Sequence, residues 1–175
     1  MGQGLTESFA DAAIRPVQLA DIDAIMAIEE DRFDTVERYP RYHLYSYIEK
    51  SLRDPAITPM LIAGSGDDPA GYVLGLLYKN GTGEIGSLAV ATAHEGHGLG
   101  RALLQKVSDS LRNAGAIRLE LEVRVDNPAA IHVYETEGFV NKGVLKGHYS
   151  TEAGEVDGYK MIKTFDRPAA KPSRL

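Results

Sequence analysis

Between residues 84 and 139 the chain changes its apolar period three times, and few folds accommodate that order. An apolar strand over Glu84–Val90 leads into the turn His94-Glu95-Gly96-His97-Gly98-Leu99-Gly100-Arg101. The stretch that follows, to about Ala114, places Leu99, Ala102, Leu103, Val107, Leu111 and Ala114 at three- and four-residue spacing, which predicts an amphipathic helix. From Ile117 to Val125 the period becomes two, with Ile117, Leu119, Leu121, Val123 and Val125 on one face and Arg118, Glu120, Glu122 and Arg124 on the other. Asn127-Pro128 then sets a helix start, Gly138 its end, and Tyr134 falls on the second turn.

Upstream the signals are shorter. Ala13–Val17 reads as a strand, and Asp21–Glu30 as a helix with Ile22, Ile25, Met26 and Glu29 at helical spacing. A second helix runs from Pro40 to about Arg53, striped by Leu44, Tyr47, Ile48 and Leu52. Pro59–Ala63 and Ala70–Tyr78 read as strands around the turn Gly64–Pro69, and Asn80-Gly81 turns the chain into the strand at Glu84. Strands precede a helix, and strand and helix then alternate, so the fold class is α/β with a mixed sheet covered by helices. Residues 13–165 form one domain between flexible ends at 1–12 and 166–175.

Composition excludes several functions. The chain has no cysteine, which removes disulfides, thiolate metal sites and cysteine nucleophiles and fits a reducing cytoplasm. It has no apolar run of about 18 residues and no basic-then-apolar leader, so neither a membrane span nor a signal peptide is expected. A net charge of -6 argues against nucleic acid as a partner and favours cationic substrates. A polyanionic ligand would have to be held by local backbone donors.

The glycine turn supplies such donors. The first N–H groups of a helix lack internal partners and carry the positive end of its dipole, and glycines at 96, 98 and 100 let a diphosphate approach them. Such turns also exist for tight packing alone. No Gly-Lys-Ser/Thr follows, and the third glycine of a dinucleotide fingerprint is missing. Glu122 reads equally as a solvated strand carboxylate or a proton acceptor, and Tyr134 as a half-buried packing residue or a proton donor. The tyrosines Tyr39, Tyr42 and Tyr45 could line a substrate mouth or merely pack at the surface.

The segments SLAV, GHGLGRALL and LEVRVDNPAAIHVYETEGF resemble the GCN5-related N-acetyltransferase superfamily, and within it the ribosomal-protein N-terminal alanine branch. The resemblance is strong over 84–165, compatible over 13–78 and absent from both tails. It implies a mixed, twisted sheet whose central parallel strands, Glu84–Val90 and Ile117–Val125, splay apart to hold acetyl-coenzyme A. Leu88, Ala89 and Val90 would pair with the pantetheine arm through their backbone. Glu95, Gly96, His97, Gly98, Leu99, Gly100 and Arg101 would surround the pyrophosphate, with Asn127 and Tyr134 also beside the cofactor.

In the same resemblance Glu122 is the general base, Tyr134 the general acid and Tyr149 substrate-proximal; Tyr39 and Tyr42, from the cluster above, are expected to join it in binding the acceptor, and no metal is expected. One departure stands out: Glu95 occupies a position where the superfamily usually has Arg or Gln, with His97 and Arg101 as compensating cations. The implied reaction is acetyl transfer to a primary amine. Deprotonating an α-amine at pH 7 costs about 1 kcal/mol and a lysine roughly 4.6, which favours an N-terminal α-amine of a protein or peptide. A small-molecule amine, lysine or polyamine acceptor is the alternative, and a non-catalytic coenzyme A-binding regulatory domain is the alternative of another class. Acceptor choice is assigned to residues 31–45 and a loop at 146–156. Monomer and homodimer are both compatible.

Overall fold

The structure, a computed structural model, describes residues 14–65 and 67–165. The flexible ends expected at 1–12 and 166–175 lie outside the described residues. Among the described residues, seven strands form one sheet in the order β1-β2-β3-β4-β5-β7-β6. In chain order they are β1 (Arg15–Pro16), β2 (Met60–Ser65), β3 (Asp68–Leu77), β4 (Thr82–Val90), β5 (Arg118–Arg124), β6 (Val140–Thr151) and β7 (Gly154–Thr164). The helices are α1 (Ile22–Arg32), α2 (Arg41–Arg53), α3 (Leu99–Asn113) and α4 (Pro128–Thr136). All neighbouring strands are antiparallel except β4 and β5.

Each face of the sheet has its own core. On one face α3 and α4 pack Leu99, Leu103, Leu104, Val107, Leu111 and Tyr134 against Val73, Ile85, Leu119, Leu121 and Val123. On the other, α1 and α2 set Ile25, Ile28, Leu44 and Ile48 against Met60, Ile62, Tyr72, Leu74 and Ala89. Glu122, alternating with Leu121 and Val123, therefore faces the α1 and α2 side.

Glycines decide how closely α3 can approach. A Cβ at Gly71 would lie 2.8 Å from the Ala89 carbonyl oxygen and 3.2 Å from Leu103, and one at Gly75 would lie 2.8 Å from Val107. Only a residue without a side chain fits beneath the helix at these two places.

The decisive feature is the β4–β5 pair. Its register is Thr82↔Arg118, Gly83↔Leu119 and Glu84↔Glu120, and there it stops. Both strands continue, β4 paired with β3 as far as Gly71↔Val90 and β5 with β7 as far as Arg124↔Gly158. Each is thus held by its outer neighbour while the inner edges part into a wedge. A bulge at the mouth of the wedge adds to the divergence: Leu74 faces Ser87 and Gly75 faces Ile85, which leaves Gly86 as the additional residue in β4.

Three expectations are corrected. The 146–156 segment is no loop, since β6 and β7 form a long hairpin turning at 152–153. β6 is an edge strand exposed along most of its length, so it lacks the apolar alternation that marks a half-buried strand. In α2 the inward position is Ser51, while Leu52 is exposed. Helix α1 begins at Ile22, after a short 3₁₀ turn over Leu19–Asp21 in which Asp21 is tied to Arg15 at 2.7 Å.

Gly71→Ala tests the close approach of α3. The added methyl meets a backbone oxygen that cannot move aside, so a loss of about 1–3 kcal/mol is expected. That corresponds to a fall in Tm of about 2–4 °C per kcal/mol, read by thermal denaturation. An unchanged Tm would mean that the helix does not bear on this strand as described.

Candidate active site

The glycine turn lies where β4 leaves the sheet. Gly96 and Gly98 hold φ values of 78° and 82°, and Gly98 forms the left-handed N-cap of α3. The first intrahelical bond runs from Ala102 N–H to the Gly98 carbonyl at 3.0 Å, so the N–H groups of Leu99, Gly100 and Arg101 precede it. A Cβ at Gly96 or Gly98 would meet nothing within 4 Å. Open space beside uncommitted amides at a helix N-terminus suits a diphosphate. Leu99 itself is buried in the core and anchors the turn, while His97 is exposed.

Glu95 does not face this space alone. Its carboxylate pairs with Arg32, at the end of α1, at 2.6 Å. Arg32 also donates to the Thr92 hydroxyl at 3.1 Å, and the neighbouring Asp31 accepts the Thr92 amide at 2.6 Å. The C-terminus of α1 thereby clamps the segment before the turn and offsets the Glu95 charge. Arg101 does not serve this purpose. Its guanidinium pairs with Glu137 at 3.2 Å and donates to Thr136 at 2.9 Å, tying α3 to the end of α4.

Within the wedge, Leu88, Ala89 and Val90 all lie beyond the last β4–β5 rung. Leu88 and Val90 are half-buried against the α3 core and Ala89 is buried on the opposite face. Their strand edge towards β5 has no ladder partner, which is how an extended ligand adds to a sheet. Asn127 caps α4 by accepting the Ala130 amide at 3.2 Å, with Pro128 at the first helical position. That cap orients the helix that carries Tyr134. Tyr134 is buried, edge-on to Phe139 at 5.9 Å, and burial pushes its phenol up to about 12.

Glu120 and Glu122 share a strand face but not a role. Glu120 sits on the last rung, and Lys160 at 2.8 Å and Arg118 at 2.9 Å hold its carboxyl below the usual range. Glu122 lies one step into the wedge, where its carboxylate meets His148 Nε2 at 2.5 Å. His148 reaches it because three β6 residues, 146–148, stand opposite Asp157 alone. In that bulge Gly147 takes φ 55° and its N–H is held by Asp157 at 2.8 Å. Tyr149 follows, half-buried, its phenol pushed up by burial and then by the nearby Glu122.

The third wall is the α1–α2 connection. Tyr39 donates its hydroxyl to the Gly86 carbonyl at 3.3 Å, and burial raises that hydroxyl to about 12. Arg124 binds Glu37 through one guanidinium nitrogen, at 2.8 and 2.9 Å, and Asp34 accepts the Glu152 amide at 3.2 Å. Tyr39 and Tyr149 thus come to the mouth of the wedge. Tyr42 does not: it is 68% exposed on the outer face of α2, its ring against His43 at 4.3 Å. The partners Arg32, Glu37 and His148 were not assigned from sequence, because long-range pairing and a bulged register create their roles.

Comparison with known proteins agrees with this geometry. The family model described as "Acetyltransferase (GNAT) family" matches residues 22–139. A Bacillus subtilis protein named "Putative [ribosomal protein bS18]-alanine N-acetyltransferase" is 30% identical over 144 residues, 82% of this chain and 90% of that protein. The "[Ribosomal protein bS18]-alanine N-acetyltransferase" of Escherichia coli K12 is 40% identical over 75 residues, 43% of this chain, and that match spans only 51% of the relative's length.

Among solved structures, the Escherichia coli ribosomal-protein-S18-alanine N-acetyltransferase superposes with a TM-score of 0.76 at 23% identity, covering 91% of this chain and 97% of that one. A Salmonella typhimurium putative acetyltransferase, solved with acetyl-CoA, also reaches 0.76, at 22% identity, covering 93% of this chain and 98% of that one. Among the described residues, no helix is long and apolar enough to cross a membrane, and no group of three or more His, Asp or Glu side chains could hold a metal ion. The chain belongs to the GNAT acetyltransferase family.

Proposed function

We propose that this protein transfers the acetyl group of acetyl-coenzyme A to the N-terminal α-amine of a protein or peptide. The observation that carries the reading is the wedge that opens after Glu84↔Glu120, with an uncommitted helix N-terminus beyond it and Glu122 and Tyr134 on its walls. Acetyl-coenzyme A supplies a thioester whose carbonyl carbon is open to an amine nitrogen. The ammonium first gives one proton to Glu122 and on to solvent; the C–N bond then forms as the C–S bond breaks, and the second proton lost by nitrogen balances the one that reaches the sulfur.

This chain's residues divide that work. The turn at 95–101 binds the diphosphate, and the inner edge of Leu88–Val90 takes the pantetheine arm. Glu122 accepts the ammonium proton, directly or through a water. The Val90 N–H stabilises the carbonyl oxygen as negative charge develops there. Tyr134 protonates the departing sulfur. Its raised phenol is a weaker acid than free tyrosine, but a thiolate leaving in the same dry pocket is a correspondingly stronger base. The relatives carry names for a ribosomal protein bS18-alanine N-acetyltransferase, one of them as putative, and the exposed Glu122 carboxylate suits an ammonium group. A cytoplasmic location is part of the same reading.

Tyr134→Phe is expected to lower kcat at least a hundredfold while leaving the acetyl-coenzyme A Kd within about twofold, as thiol release and calorimetry would report. A wild-type rate in this variant would remove Tyr134 from the mechanism. The pH profile is a second check. A tyrosine raised to about 12 keeps its proton throughout the working range, so turnover should stay level from about pH 8, where an α-amine is free, to about pH 10. A falling limb centred near pH 9 that vanishes in Tyr134→Phe would contradict the buried, protonated phenol.

Arg32→Ala leaves the Glu95 carboxylate without its counter-charge. A rise of about three- to tenfold in acetyl-coenzyme A Kd is expected, with recovery on adding Glu95→Gln. Unchanged affinity in the single variant would show that Glu95 lies too far from the diphosphate to matter.

A further inference from the structure

One buried group has no part in the chemistry above. Glu29 of α1 is 1% exposed, and both of its carboxylate oxygens are engaged by donors. Oε2 accepts the Tyr39 amide at 2.7 Å, and Oε1 accepts the Tyr72 hydroxyl in a short hydrogen bond. The geometry is that of a carboxylate accepting on both sides. Burial raises the carboxyl overall, against the opposing pull of the Tyr72 hydroxyl and the Tyr39 amide that favour its charged form. Tyr72 is fully buried, and its oxygen lies 2.9 Å from Ser87 Oγ.

The directions of these bonds follow from counting protons. A phenol has one proton, and Tyr72 gives it to Glu29. The contact between Tyr72 and Ser87 must then run from the serine, so Ser87 donates its proton inward. With that proton committed, its oxygen can only accept from anything else. Each hydroxyl in such a chain polarises the next, so part of the negative character of Glu29 appears at Ser87 Oγ.

Ser87 stands where that property matters. It is half-buried, directly after the Gly86 bulge and beyond the last β4–β5 rung, on the sheet face shared with Tyr72. Glu122 is on the same face, two residues past that rung on β5. The two side chains therefore flank the wedge from opposite strands, and the Tyr39 latch on Gly86 lies beside them. A group entering between them meets an acceptor-only oxygen on each wall, and the ligand matching two such oxygens is a nitrogen bearing several hydrogens.

We propose that Ser87, backed by Tyr72 and Glu29, is a binding residue for the acceptor amine and accepts an N–H from it opposite Glu122. This rests on the amine-acetylating function proposed above and adds the wall that holds the nitrogen while Glu122 takes its proton. The fixed hydroxyl also selects for an amine over an alcohol or thiol, which offer one hydrogen where two acceptors wait.

The test compares wild type, Ser87→Ala, Ser87→Thr and Tyr72→Phe, using an alanine-initiated peptide as acceptor. Ser87→Ala should raise the peptide KM about tenfold, with kcat, Tm and acetyl-coenzyme A Kd little changed, the lower range for a lost hydrogen bond to a charged group. Ser87→Thr, which keeps the hydroxyl, should restore most of the affinity. Tyr72→Phe, which cuts the chain behind an intact serine, should fall between them.

An unchanged KM in Ser87→Ala overturns the proposal, as does equal weakening of peptide and cofactor, which would indicate a general distortion of β4. Peptide binding to coenzyme A-loaded protein, measured by calorimetry, separates this idea from the functional reading. Wild type that binds the peptide without acetylating it refutes the transfer function alone, and the affinities of wild type and Ser87→Ala still decide the role of Ser87. Wild type that binds no amine refutes both.

Discussion

The molecule depends on a hydrogen-bond ladder that ends early. Two parallel strands that have begun to pair gain by continuing, since every unpaired backbone group in a partly buried sheet forgoes a partner. Here β4 and β5 stop pairing after Glu84↔Glu120 while each stays paired with its outer neighbour, β4 with β3 and β5 with β7, for its whole remaining length. The Gly86 bulge increases the local twist and turns β4 away. What remains is a pair of strand edges with fixed geometry and free donors and acceptors, which an extended ligand can complete.

The rest of the site is placed by what holds those edges. Helix α3 can start at the end of β4 because glycines at 71 and 75 let it lie close against the sheet, and its first-turn amides then point beyond the strand ends. Helix α4, capped by Asn127, brings Tyr134 to the wedge from the same face. From the opposite face the α1–α2 connection and the β6–β7 hairpin bring Tyr39, Tyr149 and His148. The elements proposed to bind cofactor and those proposed to bind acceptor thus approach one gap from two sides of a single sheet. Direct transfer between two bound molecules requires that arrangement.

How much of this is legible in the sequence depends on how locally each feature is encoded. Helix α3 and strand β5 are plain because each buries one face, and the periods 3.6 and 2 record it. The Asn127-Pro128 start and the Gly138 stop of α4 are plain because caps are local chemistry. β6 is not, because an edge strand with one paired side and little burial leaves no period to read. The contact of His148 with Glu122 is further out of reach. It needs a three-residue bulge, and the register of such a bulge is set by the partner strand, here through Asp157. Glu29 illustrates a different difficulty. Its helical spacing with Ile22 and Ile25 predicts an inward position, but nothing near it in sequence announces Tyr72 and Ser87 as partners.

The charge of the molecule bears on both ligands at once. A net charge of -6 should repel a polyanionic cofactor and attract a cationic acceptor, but screening limits such fields to about 8 Å at physiological ionic strength. Within that range composition matters less than placement. At the proposed diphosphate end, the local field comes from backbone amides and the α3 dipole, and Arg32 offsets the Glu95 carboxylate. At the acceptor end, Glu122 and Asp34 are exposed or half-buried, and the inner carboxylate, Glu29, acts through two hydroxyls rather than by direct contact. In the proposed reading, local donors and ion pairs rather than net charge let one small acidic domain hold an anion and an ammonium ion without either site having to favour the other's charge.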